Sequence, residues 1–231
     1  MAGWGDMPPQ MRQYSRLLDT SKQQLGQRPM ISLVVVLAVS GSLAVTSTAT
    51  HDAIQEIDAA CAHVSELSQN GGPAQIFADF ADASDRNAAD DWRAVADKAT
   101  LEHLAETTYP YTQAFTWGDQ HATLVRMFFT SPSGDWALFV DYCFDKTGAL
   151  VRSEGTLNTF NEIDPDGTNV GAGISRIKTA HYAQSGQVLR SETRLLDLQT
   201  KEPAPRRQFM DRDDFVFTTI SALPFWGLMT K

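Results

Sequence analysis

The clearest pattern of apolar and polar positions lies between Ala122 and Asn158. There ATLVRMFFT, WALFVDYCF and LVRSEGTLN are β-type runs separated by the turn clusters SPSGD and DKTGA. Runs of this length, rich in β-branched and aromatic residues and punctuated by Gly, Pro, Ser and Asp, predict an antiparallel meander. Thr112 to Trp117, the turn Gly118-Asp119-Gln120 and the run from Ala122 predict a hairpin leading into it. In the middle run Trp136, Leu138, Val140, Tyr142 and Phe144 line one side, and Ala137, Phe139, Asp141 and Cys143 the other. Large residues on both sides predict a central strand covered on both faces, with Trp136 in the core. Asp141 is the exception, expected to be an edge-facing carboxylate near a sheet margin.

Upstream the period is helical. Ile54, Ile57, Cys61, Val64 and Ser68 share a face opposite Glu56, His63 and Glu66, which predicts an amphipathic helix of about seventeen residues. Asp52 and Gln55 supply its N-terminal box, and Gly71-Gly72-Pro73 its end. His63, opposite the apolar stripe, is expected to be solvated. Ile76, Phe77 and Phe80 predict a short second helix, and the polar stretch Ala81 to Asp90 a loop. Asn87 then caps a third helix with Trp92, Val95, Ala96 and Ala99 on one stripe. The following LEHLAETTY fits helix and strand equally well.

Beyond the meander, GALVRSEGTL from Gly148 is echoed by GQVLRSETRL from Gly186, each after a tyrosine, Tyr142 and Tyr182. Each segment is therefore expected to be the second arm of a hairpin. Period-two geometry puts Arg152 with Glu154 on one face, and Arg190 with Glu192 and Arg194 likewise. A solvated sheet face with ion pairs is expected, and Tyr142, Tyr182, Arg152 and Arg190 are the candidate ligand-binding residues. KEPAPRR reads as a connector and DFVFTTI, Asp214 to Ile220, as a last strand. The apolar tail Phe225, Trp226, Leu228 and Met229 needs cover from the sheet or from a protein partner, and docking on the sheet is expected. The sum is an α+β fold, with N-terminal helices packed on a curved antiparallel β-meander of six or seven strands.

With 231 residues and 42% hydrophobic content, the chain suits one domain and a leader. Lys plus Arg number 19 against 28 acidic residues, a formal charge of -9. That balance excludes a nucleic-acid backbone binder, whose affinity needs dense basic charge. Ile31 to Val45 is uncharged and follows Arg12, Arg16, Lys22 and Arg28, the layout of an export signal. Ser47-Thr48-Ala49 or Ser42-Leu43-Ala44 would suit cleavage, making residues 1–49 a leader and residues 50–231 a periplasmic or extracellular domain. Residues 30–49 would alternatively serve as a membrane anchor, just reaching the span of about 20 residues; cleavage is the expectation. The long front before the apolar run also suggests a start at Met11.

Cys61 and Cys143 would then sit where thiols oxidise. Helix-on-sheet packing seldom brings two given Cα atoms close enough for a bond, so two separate buried thiols are expected. Cys61 does not suit acylation, because Asp52, Glu56 and Asp58 separate it from the apolar run. The 5 histidines have no metal-ligand spacing. Asp164, Asp166 and Asn169 suggest a calcium loop, but Gly167 and Ser175 fall at the wrong positions for one. Gly171-Ala172-Gly173 lacks a Walker lysine, and Ser131, Ser133 and Ser153 lack the glycines of a nucleophile elbow. No metal or cofactor is implied. Two functions remain: a non-catalytic binding or envelope-associated module, or an NTF2-like cone with an internal pocket where Asp141 and His181 do acid/base work. The second rests on fold analogy alone. A filled sheet favours the first, and a pocket converging Asp141 with His or Tyr the second.

Overall fold

The computed structural model describes residues 43–73, 75–81, 90–163, 173–205, 207–212 and 215–229. The chain divides into two compact units, residues 1–53 and 54–231. Helix α1, Leu43–Asn70, runs across that boundary for 28 residues. It is longer than its apolar stripe predicts, and Asp52 and Gln55 lie inside it, because neither Gly nor Pro interrupts the chain between Leu43 and Gly71. Both expected cleavage regions therefore reach into helix. Residues 30–42 of the expected anchor lie outside the described residues, among which no helix is long and apolar enough to cross a membrane.

The second unit is built on an eight-stranded antiparallel sheet. Its strands are β1 (Gln75–Asp79), β2 (Trp92–Val95), β3 (Thr112–Gly118), β4 (Ala122–Thr130), β5 (Trp136–Asp145), β6 (Leu150–Thr159), β8 (Ile174–Tyr182) and β9 (Val188–Asp197). They lie in the order β2-β1-β3-β4-β5-β6-β8-β9, while β7 (Glu162–Ile163) pairs with β10 (Gln208–Phe209) in a separate ladder. From β3 onward the expected meander is present.

The strand count exceeds six or seven because β1 and β2 occupy the places of two expected helices. Phe77 faces one core cluster while Ile76 and Ala78 face another. Such a strand, buried on both sides, shows no alternation to betray its period. Trp92 and Val95 belong to β2, and Asn87 lies outside the described residues. The helix that does form, α2 (Lys98–Thr107), starts later, where Asp97 Oδ1 accepts the Thr100 N–H at 2.7 Å. It carries the chain from β2 past β1 to β3.

One face of the sheet is covered by the C-terminal segment. Phe77, Val125, Met127, Leu138, Val140, Tyr142, Phe144 and Leu157 are buried there with Leu223 and Phe225. The Phe225 ring stacks on Phe77 at 4.7 Å and lies 4.8 Å from Trp92. Phe217 meets Tyr142 edge-on at 5.5 Å, and Trp226 (which opens α3, Trp226–Met229), Leu228 and Met229 pack against the same cluster. The expected docking of the tail thus occurs. Of the expected strand over Asp214 to Ile220, Asp214 lies outside the described residues, and residues 215–220 do not form a strand. Phe215 and Phe217 alternate because they press on one face, Phe215 against Phe129, and only Thr219 forms a bridge, to Ala149. Trp136 is not core either: it is half-buried at the cluster rim, with the Arg212 guanidinium 4.3 Å above its ring.

Candidate functional site

The opposite face carries the helices and the charge. Leu101 of α2 packs with Ile76, Ala78 and Val95, and Cys61 and Val64 of α1 pack with Trp117, Leu124 and Cys143. Strand register sets two cross-sheet rows on this face: Leu124, Cys143, Arg152, His181 and Arg190, then Arg126, Asp141, Glu154, Thr179 and Glu192.

Helix α1 is tied to the first row. Cys61 and Cys143 form a disulfide with Cα atoms 5.9 Å apart, so the expectation of separate thiols is corrected. The reason is register: Cys61 lies on the buried stripe one turn from Val64, directly over β5. One turn earlier, Asp58 Oδ1 lies 2.9 Å from His181 Nε2 and 3.6 Å from Arg152 Nε. On the other flank the exposed His63 pairs with Asp119 at 3.1 Å. Main-chain N–H groups of Ala122 and His121 hold the Asp119 carboxyl below the ordinary range, with the charge of His63 adding to them.

The sequence echo has a structural counterpart. Gly148 and Gly186 both sit at φ 82 in tight hairpin turns, donating to Asp145 O and Ala183 O. Register shifts fall at corresponding places, Cys143/Phe144 and His181/Tyr182. Cys143 and His181 are therefore equivalent positions of two similar hairpins, and both grip α1, one covalently and one by hydrogen bond.

In the second row Arg126 donates from Nε and Nη2 to the two oxygens of Asp141, each at 2.6 Å. Asp141 is not at a margin; β5 has strands on both sides out to β2 and β9. Its charge, with Glu154 contributing, raises the Arg126 guanidinium above its ordinary pKa against the cost of burial. The Arg126 guanidinium also lies 5.8 Å from the Trp117 ring centre. Arg152 Nη2 donates to Glu154 at 2.9 Å, and Thr179 Oγ1 donates to the same oxygen at 3.4 Å. Asp141, Arg152 and Glu154 line a cleft with Ser65, Leu124 and the disulfide. It encloses about 330 Å³, counting the space that opens to solvent.

The structure does not bring the sequence candidates into one catalytic group. Asp141 is committed to Arg126 and His181 to Asp58. Tyr142 lies on the opposite, filled face, donating its hydroxyl to Phe215 O at 2.6 Å, and Tyr182 is buried there with its hydroxyl 3.2 Å from Ser153 Oγ. Arg152 enters the cleft, while Arg190 is exposed on β9 and pairs with Glu192. Ser131 and Ser133 are not nucleophiles in waiting: both donate to Asp135, at 2.5 and 2.6 Å, and with Asn161 they hold its carboxyl far below the usual range.

Arg126 and Asp58 are the residues that sequence reasoning passed over. Counting outward from a turn Ser131 to Asp135 sets Arg126 opposite Val140; the observed register pairs Thr130 with Ala137, leaving Trp136 in the turn, and that one-residue shift is what sets Arg126 opposite Asp141. Among the described residues no group of three His, Cys, Asp or Glu side chains is arranged to hold a metal ion, and Asp164, Asp166 and Asn169 lie outside them. Comparison with family models, with curated proteins and with solved structures finds no match to this chain.

Proposed function

We propose that the protein is an exported module that presents its surface to a partner and does not turn over a small molecule. The observation that supports this reading is that packed segments cover both faces of the sheet, apart from the cleft beside the disulfide and the exposed strand β9. The C-terminal segment occupies one, with Phe225 only 1% exposed, and α1 and α2 occupy the other. For Asp141 and His181 to act together, each would have to leave a close charged partner and meet across β6. Breaking a bidentate guanidinium pair costs more than an ordinary hydrogen bond, and a general base must be free to take a proton. Export is supported by the Cys61–Cys143 bond, of a kind that persists in oxidising compartments, and by the apolar run Ile31 to Val45 behind its basic flank.

The test is fractionation of a bacterium expressing the full-length chain. The protein should be recovered outside the cytoplasm with a first residue just beyond Ala44 or Ala49, and Val35→Asp, which puts a charge in the apolar run, should hold it inside. Cytoplasmic parent protein with an intact N-terminus would overturn the reading.

A further inference from the structure

Strand β9 ends the sheet, and most of its outer edge is open. Among the described residues, backbone bonds close that edge only at its far end, where Ala204 N–H donates to Leu195 O and Asp197 N–H to Glu202 O, both at 2.8 Å. Leu196 also bridges Pro203 there. From Val188 to Arg194 every residue is exposed except the half-buried Leu189. An uncovered strand edge is a template for another strand. The opposite edge, β2, is only 4 residues long.

Side-chain pattern decides which strand fits. Edges are commonly protected by charge, and charge of one sign repels a second copy. β9 alternates instead: Arg190, Glu192 and Arg194 share the face that carries His181, Thr179 and Ile177 on β8, and Arg190 is already ion-paired with Glu192. Consider two copies of β9 side by side and antiparallel. A two-fold axis through Ser191 sets Arg190 opposite Glu192 of the second copy, and Glu192 opposite its Arg190. The same axis pairs the open stretch from Val188 to Arg194 end to end. An axis through Glu192 would face Glu with Glu and Arg with Arg, and one through Arg190 would face Arg with Arg. An axis through Thr193 again pairs opposite charges, but it needs the edge beyond Leu195, which residues 202–204 already occupy. One register therefore satisfies both the charges and the free backbone.

We propose that the protein forms a two-fold homodimer by pairing β9 with β9 of a second copy about Ser191, which joins two eight-stranded sheets into one. The pairing does not depend on export. Its contact is a single pair of strand edges with a rim of charge, so association is reversible and depends on concentration and salt.

Sedimentation velocity over a concentration series tests it, with Arg190→Glu and Glu192→Arg as variants. The first variant carries carboxylates at both positions and the second guanidiniums at both, so each repels itself and complements the other. The replaced side chains are exposed, and circular dichroism melts should match the parent. The parent mass should double as concentration rises, each variant alone should stay monomeric, and an equimolar mixture should recover the doubled mass. The double variant Arg190→Glu/Glu192→Arg should dimerise like the parent. A parent that stays monomeric at every concentration overturns the proposal, as does a dimer that persists in both single variants or a mixture that does not associate.

Discussion

Replacing Cys61 and Cys143 together by alanine removes the covalent tie between α1 and β5. The two cysteines are 82 positions apart. Closing a loop of that length in the unfolded chain is worth about 4.5 kcal/mol at 25 °C by loop-closure entropy. In the native state α1 keeps the buried Val64 and the Asp58–His181 contact, so the loss acts mainly through the unfolded ensemble. At roughly 2–4 °C per kcal/mol for a domain of this size, the melting temperature should fall by about 9–18 °C. Urea denaturation of parent and variant, each with and without reductant, measures the difference. Reductant should bring the parent down to the variant and leave the variant unchanged. A difference below about 1 kcal/mol, or an equal effect of reductant on both proteins, would refute the reasoning, because the expected range for a long-loop disulfide is ~2–4.

Asp141→Asn keeps the shape but leaves the half-buried Arg126 without its counter-charge, and should cost about 1–3 kcal/mol in urea unfolding; a change lost in the noise would mean that solvent screens the pair. Ser131, Ser133 and Asn161 depress the Asp135 carboxyl, so its contribution is complete above the unfolded pKa near ~4 and is lost as pH falls through the lower native value. The stability gap between parent and Asp135→Asn should therefore hold steady from neutral pH down to about 5 and narrow in stronger acid, and a gap that widens with acid contradicts the assignment. Phe225→Ala, in the segment over the sheet, should cost about 3–5 kcal/mol, and Trp136→Ala, at the rim, about half that. Equal losses at the two sites would contradict the burial difference.

The segments that could be read from sequence are those exposed on one side or punctuated by turns. SPSGD and DKTGA set off β4, β5 and β6, and the stripe Ile54, Ile57, Cys61, Val64 foretold the buried side of α1. The echo at Gly148 and Gly186 led to the same hairpin turn twice. β1 reads as helix because a short strand buried on both sides carries no two-residue period, and β2 because its 4 residues, with Arg93 and Ala94 both exposed, do not alternate either. Phe215 and Phe217 failed in the opposite sense, since alternation records a one-sided contact whether or not the backbone is paired. The disulfide was illegible for a geometric reason: each cysteine's face was readable, but where along β5 the helix would cross was not. Asp141 was singled out, yet its meaning lay in Arg126 across the hairpin.

The state of Cys61 and Cys143 in cells bears most directly on the disulfide that locks the helix to the sheet and on the proposal that the protein is exported. Cells expressing the full-length chain are quenched in acid, and the denatured protein is alkylated and weighed before and after reduction. The expected result is no adduct before reduction and two after it, with two adducts before reduction when Val35→Asp blocks export. Two adducts on the parent before reduction would contradict both the disulfide and the compartment that it implies.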